Sequence, residues 1–406
     1  MYDQLIRNAL VYDGTGCEPV RTNVAVFDDV FAFIGKGNIV RAKRIIDADG
    51  LVMTPGFIDI HAHSELEVMR DRRAMMRIGQ GITTDVSGNC GIGCFPATEA
   101  LRKASEDVLG HYPEWSWTDF RSFSSCMLSS GIAINEALLV PHSALRFAAM
   151  GDDAGRIASD AEIDRMCGIL SSELEAGAAG FSSGLYYNPC VFSDSRELKA
   201  LLSVVKAHGR IFSVHHRCEG NDVIASLREV LDAAEETGVR IEVSHLKAIG
   251  KANQPKVAQM LDMIDEYRGR GVDVGFDQYP YTFGSTSLYS LLPPDILSLS
   301  RLEQRLALSL DNEREDIKKE MLNPSGWDSI YEMVGPDDIR VLYLEGMDEY
   351  TGKSLSEIGG MKGKDPLDAL FDLLSEETGL AVMTDVTESD ENLVRIMSHP
   401  LMSFGS

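Results

Sequence analysis

His61 and His63 close the run Gly56-Phe-Ile-Asp-Ile-His-Ala-His63. Side chains alternate across a strand, so two histidines separated by one residue present both rings on the same side, a geometry suited to chelating a metal ion. Cys90 lies in Ser87-Gly-Asn-Cys-Gly-Ile-Gly93, a glycine-rich loop whose backbone can approach a ligand closely. A cysteine there is either a small buried side chain or a thiolate that binds zinc at about 2.3 Å. Cys94, four residues on, reads as structural. Ser213-Val-His-His-Arg217 carries two adjacent histidines, which cannot both point into one interior. With His215 inward, Phe212, Val214 and His216 turn towards covering helices while Ser213 and Arg217 share the inner side, which puts the apolar groups where helices must cover them. His215 is therefore the expected ligand and His216 its helix-facing neighbour. Glu242-Val-Ser-His-Leu-Lys247 places His245 and Lys247 on one side. Alone, a strand-end histidine is satisfied by backbone and a lysine by water. Together, His61, His63, Cys90, His215 and His245 offer the nitrogen and sulfur donors that zinc prefers.

The elements that must position these residues are strands alternating with amphipathic helices from Thr54 onward. The predicted strands are Phe57–His63, Thr83–Asn89, Ile132–Pro141, Ala178–Leu185, Ile211–Arg217, Arg240–Leu246, Val274–Tyr281 and Leu401–Ser406, with helices over Asp194–His208, Val223–Thr237 and Lys256–Arg270. This pattern predicts an α/β chain folded as a closed (β/α)8 TIM-like barrel, with the candidate ligands at the carboxyl ends of its strands. An open doubly wound sheet is the alternative, weakened because no Gly-x-Gly-x-x-Gly turn follows a strand. The barrel is expected to occupy 55–406, with an insertion at about 284–370 that carries a strand at Ile339–Leu344 and a helix at Pro366–Glu377. Residues 1–54 read as a small β module of short strands, too small to cover its own apolar face.

Composition excludes several classes of function. The chain is 44% hydrophobic and 25% charged, as expected of an ordered protein with a sizeable core. No basic-then-apolar segment opens it and no apolar run reaches the ~18 residues of a membrane span, so neither a signal peptide nor a membrane partner is expected. Seven scattered cysteines predict reduced thiols and a cytoplasmic location rather than a disulfide framework. With 63 acidic against 38 basic residues and a formal charge of -25, no nucleic-acid partner is expected.

Five segments carry a resemblance: Asp47-Ala-Asp-Gly-Leu-Val-Met-Thr-Pro-Gly-Phe-Ile-Asp-Ile-His-Ala-His63, Gly81-Ile-Thr-Thr-Asp-Val-Ser-Gly-Asn-Cys-Gly91, Gly180-Phe-Ser-Ser-Gly-Leu185, Ser244-His-Leu-Lys247 and Asp277-Gln-Tyr-Pro-Tyr281. The chain resembles the amidohydrolase superfamily and, within it, the N-acyl-D-amino-acid deacylase (D-aminoacylase) family. The first segment is common to amidohydrolases at large, and the Asn-Cys-Gly loop with Ser-His-Leu-Lys and Gln-Tyr-Pro-Tyr is narrower. The resemblance implies zinc-dependent hydrolysis of a small-molecule N-acyl-D-amino acid. It implies one tightly held zinc on Cys90, His215 and His245, and a second possible metal position at His61 and His63. Lys247, Tyr279, Tyr281 and Ser285 resemble positions that hold the substrate. The cysteine stands where hydantoinases and dihydroorotases usually carry a carbamylated lysine. The resemblance also implies that the β module is part of a β-sandwich whose remaining strands lie beyond this chain. The aspartate that such enzymes use as acid and base, in a Ser-Asp-Gly motif, is expected after Ser406, so no catalytic carboxylate is assigned within the sequence. The alternatives are a D-residue dipeptidase or cyclic-amide hydrolase on the same site, and a truncated, catalytically silent protein that binds zinc or ligand.

Overall fold

The computed structural model describes residues 1–37, 41–109, 111–112, 114–377 and 379–406. It divides into one unit of Met1–Phe57 with Gly81–Thr83 and another of Ile58–Gln80 with Thr84–Ser406.

The first unit is a five-stranded sheet in the order β3-β2-β1-β4, with β5 also paired to β1. Its strands are β1 (Tyr2–Val11), β2 (Val20–Phe27), β3 (Val30–Gly35), β4 (Ala42–Asp47) and β5 (Val52–Met53). The Asp13-Gly14 turn is held by Asp13 Oδ1, which accepts from Thr15 N at 3.0 Å and Thr15 Oγ1 at 2.6 Å. Leu5, Ala9, Val24 and Ala25 are buried. Phe27, Val30, Phe31 and Ile34 on the outer hairpin stay exposed, Phe31 by 62%.

In the second unit an eight-stranded sheet runs in the order β16-β12-β11-β10-β9-β8-β7-β6. The strands are β6 (Phe57–Ala62), β7 (Ile82–Ser87), β8 (Asn135–Pro141), β9 (Gly180–Gly184), β10 (Ile211–His215), β11 (Arg240–Val243), β12 (Val274–Gln278) and β16 (Met402–Phe404). It is a nearly closed parallel barrel, and all eight strands fall on segments predicted from sequence. The seam is bridged at Ser406, whose N donates to His61 O at 3.2 Å and Asp59 Oδ1 at 3.1 Å.

Helices cover the barrel because the strands turn apolar side chains outward. Phe181, Phe212, Ile241 and Phe276 join one core with Leu198, Leu201, Leu227, Val230, Met260 and Ile264 of the flanking helices. In Ser195–Ala207 the buried Leu198, Leu201, Leu202 and Val205 recur at helical spacing, and Asp194 caps the start by accepting from Arg196 N and Glu197 N. The inner wall is polar where barrels of this kind are usually filled by branched apolar residues. Arg77 bridges Asp59 at 2.7 Å and Asp85 at 3.0 Å, Ser87 Oγ donates to Glu136 Oε2 at 2.7 Å, and Ser213 packs its hydroxyl 3.3 Å from that of Ser244.

Several strands end sooner than expected: β10 at His215, β11 at Val243 and β12 at Gln278. Alternation therefore stops applying at Arg217, which was expected on the inner side. Its guanidinium instead bonds Glu229 at 3.0 Å and the carbonyls of Val191 and Ser193 at 2.6 and 3.0 Å, on the helix side.

Between β12 and β16 lies a three-stranded antiparallel sheet, order β13-β15-β14, from β13 (Phe283–Ser287), β14 (Ile339–Leu344) and β15 (Ala381–Val386). With helices including Arg301–Ser309, Asp311–Leu322 and Pro366–Glu376, it closes over a second apolar core that contains Leu291, Met321, Val341, Leu370, Phe371 and Met383. The sheet pairs Phe283 with Val386, so the excursion from the barrel runs past residue 370, where the sequence reading ended it. No helix among the described residues is long and apolar enough to cross a membrane.

Candidate metal centre

The loop after β7 is pinned from beneath. Asn89 Nδ2 donates to Val86 O at 2.8 Å, Ser213 Oγ donates to Asn89 Oδ1 at 2.7 Å, and Gly91 N donates to Ser182 Oγ at 3.1 Å. The turn requires positive φ at Gly88 (81°), Cys90 (53°) and Gly91 (67°). Glycine adopts this without strain, but Cys90 does not, and His245 is held likewise at 34°. A β-carbon on Gly184 would meet Cys90 O at 2.1 Å, so β9 passes against this loop with no room for a side chain.

Around Cys90 the rings converge. Its Sγ lies 3.3 Å from His61 Nε2 and 3.5 Å from His245 Nε2. Each ring is braced on its far side. His61 Nδ1 is 3.1 Å from Asp277 Oδ2, whose other oxygen accepts from His245 N at 2.7 Å. His245 Nδ1 is 3.0 Å from Glu219 Oε1 and 2.7 Å from Lys247 Nζ, and Lys247 Nζ donates to the same Glu219 oxygen at 2.6 Å. Both rings thus turn Nε2 towards the thiol and Nδ1 towards a carboxylate, the outer-shell pattern that orients metal-bound histidines. His215 stacks edge-on to His245 at 4.5 Å between ring centres, its Nε2 3.5 Å from Glu219 Oε2.

Two groups of donor atoms lie within 4.8 Å of one another: His61, Cys90 and His245, and His215, Glu219 and His245. His245 is common to both. His63 belongs to neither group, its ring lying 5.6 Å from that of His61. His216 points away, with Nδ1 3.0 Å from Ser226 Oγ on the helix Val223–Thr237. Cys94 is buried among apolar residues.

The electrostatics suit a cation. Burial, reinforced by Lys247, drives His245 down to about 3, and burial with the nearby His61 does the same to His63. Burial also holds His215 well below the ordinary histidine range. These rings are neutral, the form that binds metal. Burial opposes charge on His61 too, but Asp277 and then Cys90 outweigh it and raise that ring well above its usual value. Glu219 stays ionised despite burial because His215, Lys247 and His245 surround it. Both ring nitrogens of His215 and Nδ1 of His63 are buried without a hydrogen-bond partner. Unpartnered buried nitrogens are costly to a protein unless something bonds them, and zinc fits donor sets of imidazole, carboxylate and thiol such as these.

Lys247, Tyr279 and Ser285 line one cavity beside this centre, together with Tyr186 and Tyr187 from the loop after β9. Tyr279 OH is 3.3 Å from Thr387 Oγ1. Tyr281 is not on that wall. It is 36% exposed and stacks between Tyr279 and Phe283 at 4.8 and 5.0 Å.

Sequence reasoning passed over Glu219 and Asp277. Asp277 had a signal: Phe276 is apolar and must face the helices, which turns its neighbour inward. Glu219 had none, since it follows the end of β10, where side-chain direction is set by the loop.

Comparison with known proteins gives a consistent setting. Residues 44–291 match the sequence model described as the amidohydrolase family. The chain is 34% identical over 287 residues to a D-aminoacylase of Alcaligenes xylosoxydans xylosoxydans, covering 71% of this chain and 59% of that protein. An N-acyl-D-glutamate deacylase of the same organism is 38% identical over 287 residues, 70% of this chain and 58% of that protein. The chain thus spans less than three fifths of the length of these two relatives. The crystal structure of N-acyl-D-glutamate deacylase from Bordetella bronchiseptica, complexed with zinc and a phosphonate mimic of the tetrahedral intermediate, superimposes with a TM-score of 0.83 at 30% identity, covering 100% of this chain and 75% of that one.

Proposed function

Since the chain belongs to the amidohydrolase family, on its D-aminoacylase branch, we propose that the whole protein hydrolyses the amide bond of N-acyl-D-amino acids, releasing a carboxylate and a free D-amino acid. The observation that carries this reading is the buried Cys90 thiol between the Nε2 atoms of His61 and His245, beside a cavity lined by Lys247. In the proposal Cys90, His245 and His215 hold one zinc ion tightly, and His61 and His63 offer a second position. Zinc bound there supplies a polarising charge for the amide carbonyl and a water acidic enough to attack near neutral pH.

The chain's own residues provide the rest. Glu219 and Asp277 orient the rings of His245 and His61. Lys247 presents its ammonium to the cavity for the substrate carboxylate, with Tyr279 and Ser285 on the same wall. The insertion supplies Ser285, Thr286 and Asp385 to that wall. Asp277 and Glu219 are committed to their histidines and are not assigned the proton transfer. The seven cysteines are unpaired, which supports a reducing, cytoplasmic setting for a cysteine that binds metal.

The test is hydrolysis by the full-length, zinc-loaded protein of matched N-acetyl-D- and N-acetyl-L-amino acids. We expect cleavage of the D series. Cleavage of the L series alone would refute the stereochemical part of the proposal.

A further inference from the structure

Four charged side chains stand on the cavity wall: Lys247, Glu219, Asp328 and Asp385. Lys247 pairs with Glu219 at 2.6 Å and is the group assigned to the substrate's α-carboxylate. The remaining two are both acidic, and among the described residues no cation pairs with either. Asp328 is fixed in place, its Oδ2 accepting from Asn221 N at 2.9 Å and from the Cys218 thiol at 2.7 Å. Asp385, at the end of β15, is only 3% exposed, and its Oδ2 has no hydrogen-bond partner. Glu388, three residues on and equally buried, leaves Oε2 unpartnered too. Burial pushes Asp385 up to about 6 and Glu388 to about 7, and Lys247, already paired with Glu219, only partly offsets the shift in each. Ile249, Ile330 and Met333 line the same cavity. An aliphatic surface leading to unmatched acids complements a side chain with an apolar stem and a cationic tip.

We infer that this cavity is the side-chain subsite and that Asp385, assisted by Asp328, makes it select N-acyl-D-amino acids with a cationic side chain: lysine, ornithine or arginine. The inference rests on the deacylase reading and narrows it. An ammonium or guanidinium placed there gives Asp385 the partner it lacks. A side-chain carboxylate, of the kind named for the glutamate-specific relative, meets two like charges and is repelled.

The experiment compares kcat/KM of the full-length, zinc-loaded enzyme for N-acetyl-D-lysine, N-acetyl-D-arginine, N-acetyl-D-norleucine and N-acetyl-D-glutamate. Norleucine has the stem of lysine without its amine. We expect lysine over norleucine by on the order of 10²-fold, since a site built for a polar group penalises the analogue that lacks it, with glutamate slowest. Asp385→Asn should lower the lysine-to-norleucine ratio by about tenfold or more, chiefly through KM for lysine. Asp328→Asn should lower it in the same direction, and it provides the comparison if Asp385→Asn does not fold. Preference of the wild type for norleucine or glutamate would overturn the inference and leave the deacylase reading intact. So would a ratio unchanged in both variants. Failure to hydrolyse any member of the panel would overturn the deacylase reading and this inference with it.

Discussion

Cys90 and His245 both hold φ in the left-handed region, at 53° and 34°, where a side chain other than glycine is strained. Such strain costs about 1–3 kcal/mol per residue and persists only where the surroundings over-determine it. Here the surroundings are Asn89, Ser213 and Ser182 under one loop, and Asp277 under the other. Cys90→Ala should therefore lose tightly held zinc, and Glu219→Gln should weaken zinc binding roughly 10–100-fold by loosening the orientation of His245. His216→Ala should leave zinc content near that of the wild type. Metal analysis after dialysis against a graded chelator distinguishes these, and full zinc retention in Cys90→Ala would refute the ligand set. At this scale the sequence was readable for residues on a strand: alternation turns His61 on β6 and His215 on β10 to the inner side, while His245, two residues past β11, is held there by the bond of its backbone N to Asp277. It was silent on Glu219 and misplaced Arg217, because both follow the last residue of β10 and take their direction from a loop.

Most of the barrel strands were legible as apolar or alternating segments bounded by glycine, proline or a polar cluster, and the recurrence of strand and helix located β9, whose Gly-Phe-Ser-Ser-Gly is itself mostly small and polar. The strands β13 and β15 were not. Phe283-Gly-Ser-Thr-Ser287 is mostly small and polar, and it becomes a strand through pairing with Ala381–Val386, nearly a hundred residues away along the chain. Glycine carries a different message in different elements. Gly184→Ala should displace the Cys90 loop, since the added carbon meets Cys90 O at 2.1 Å. We expect a loss of about 1–3 kcal/mol of stability together with lowered zinc content. Gly168→Ala is the control: it lies within the helix Asp160–Ala176 with nothing within 4 Å of the added carbon, and it should gain roughly 0.5–1 kcal/mol. Urea unfolding with parallel metal analysis reads both effects, and equal responses from the two variants would mean that the loop is not confined by β9.

The molecule as a whole carries a formal charge of -25, and part of that acidity faces into the barrel. Burial pushes Glu136 and Glu242 up to about 8, Glu242 with Asp277 adding to the effect. A carboxyl whose pKa is higher folded than unfolded contributes stability that is fully present below the unfolded value of about 4.5 and is lost as pH rises through the folded value. Stability should therefore fall between about pH 5 and 9, and Glu136→Gln with Glu242→Gln should flatten the decline. A Tm profile across that range checks it, and a profile rising towards pH 9 would contradict the assignment. A second buried network works the other way. Arg146 bonds both oxygens of Glu197 at 2.5 and 2.6 Å, and His142 Nε2 lies 2.8 Å from the same group, all fully enclosed. Arg146→Ala strands that carboxylate and should cost about 3–5 kcal/mol.

The two apolar cores have a consequence for descent. The candidate ligands His61, Cys90, His215 and His245 are carried by the barrel, while Asp328 and Asp385 are carried by the segment that builds its own core around Leu370, Phe371 and Met383. Mutations that reshape the second need not disturb the first. On the proposed reading, a change of diet thus needs substitutions in one segment alone, while the metal chemistry stays with the barrel.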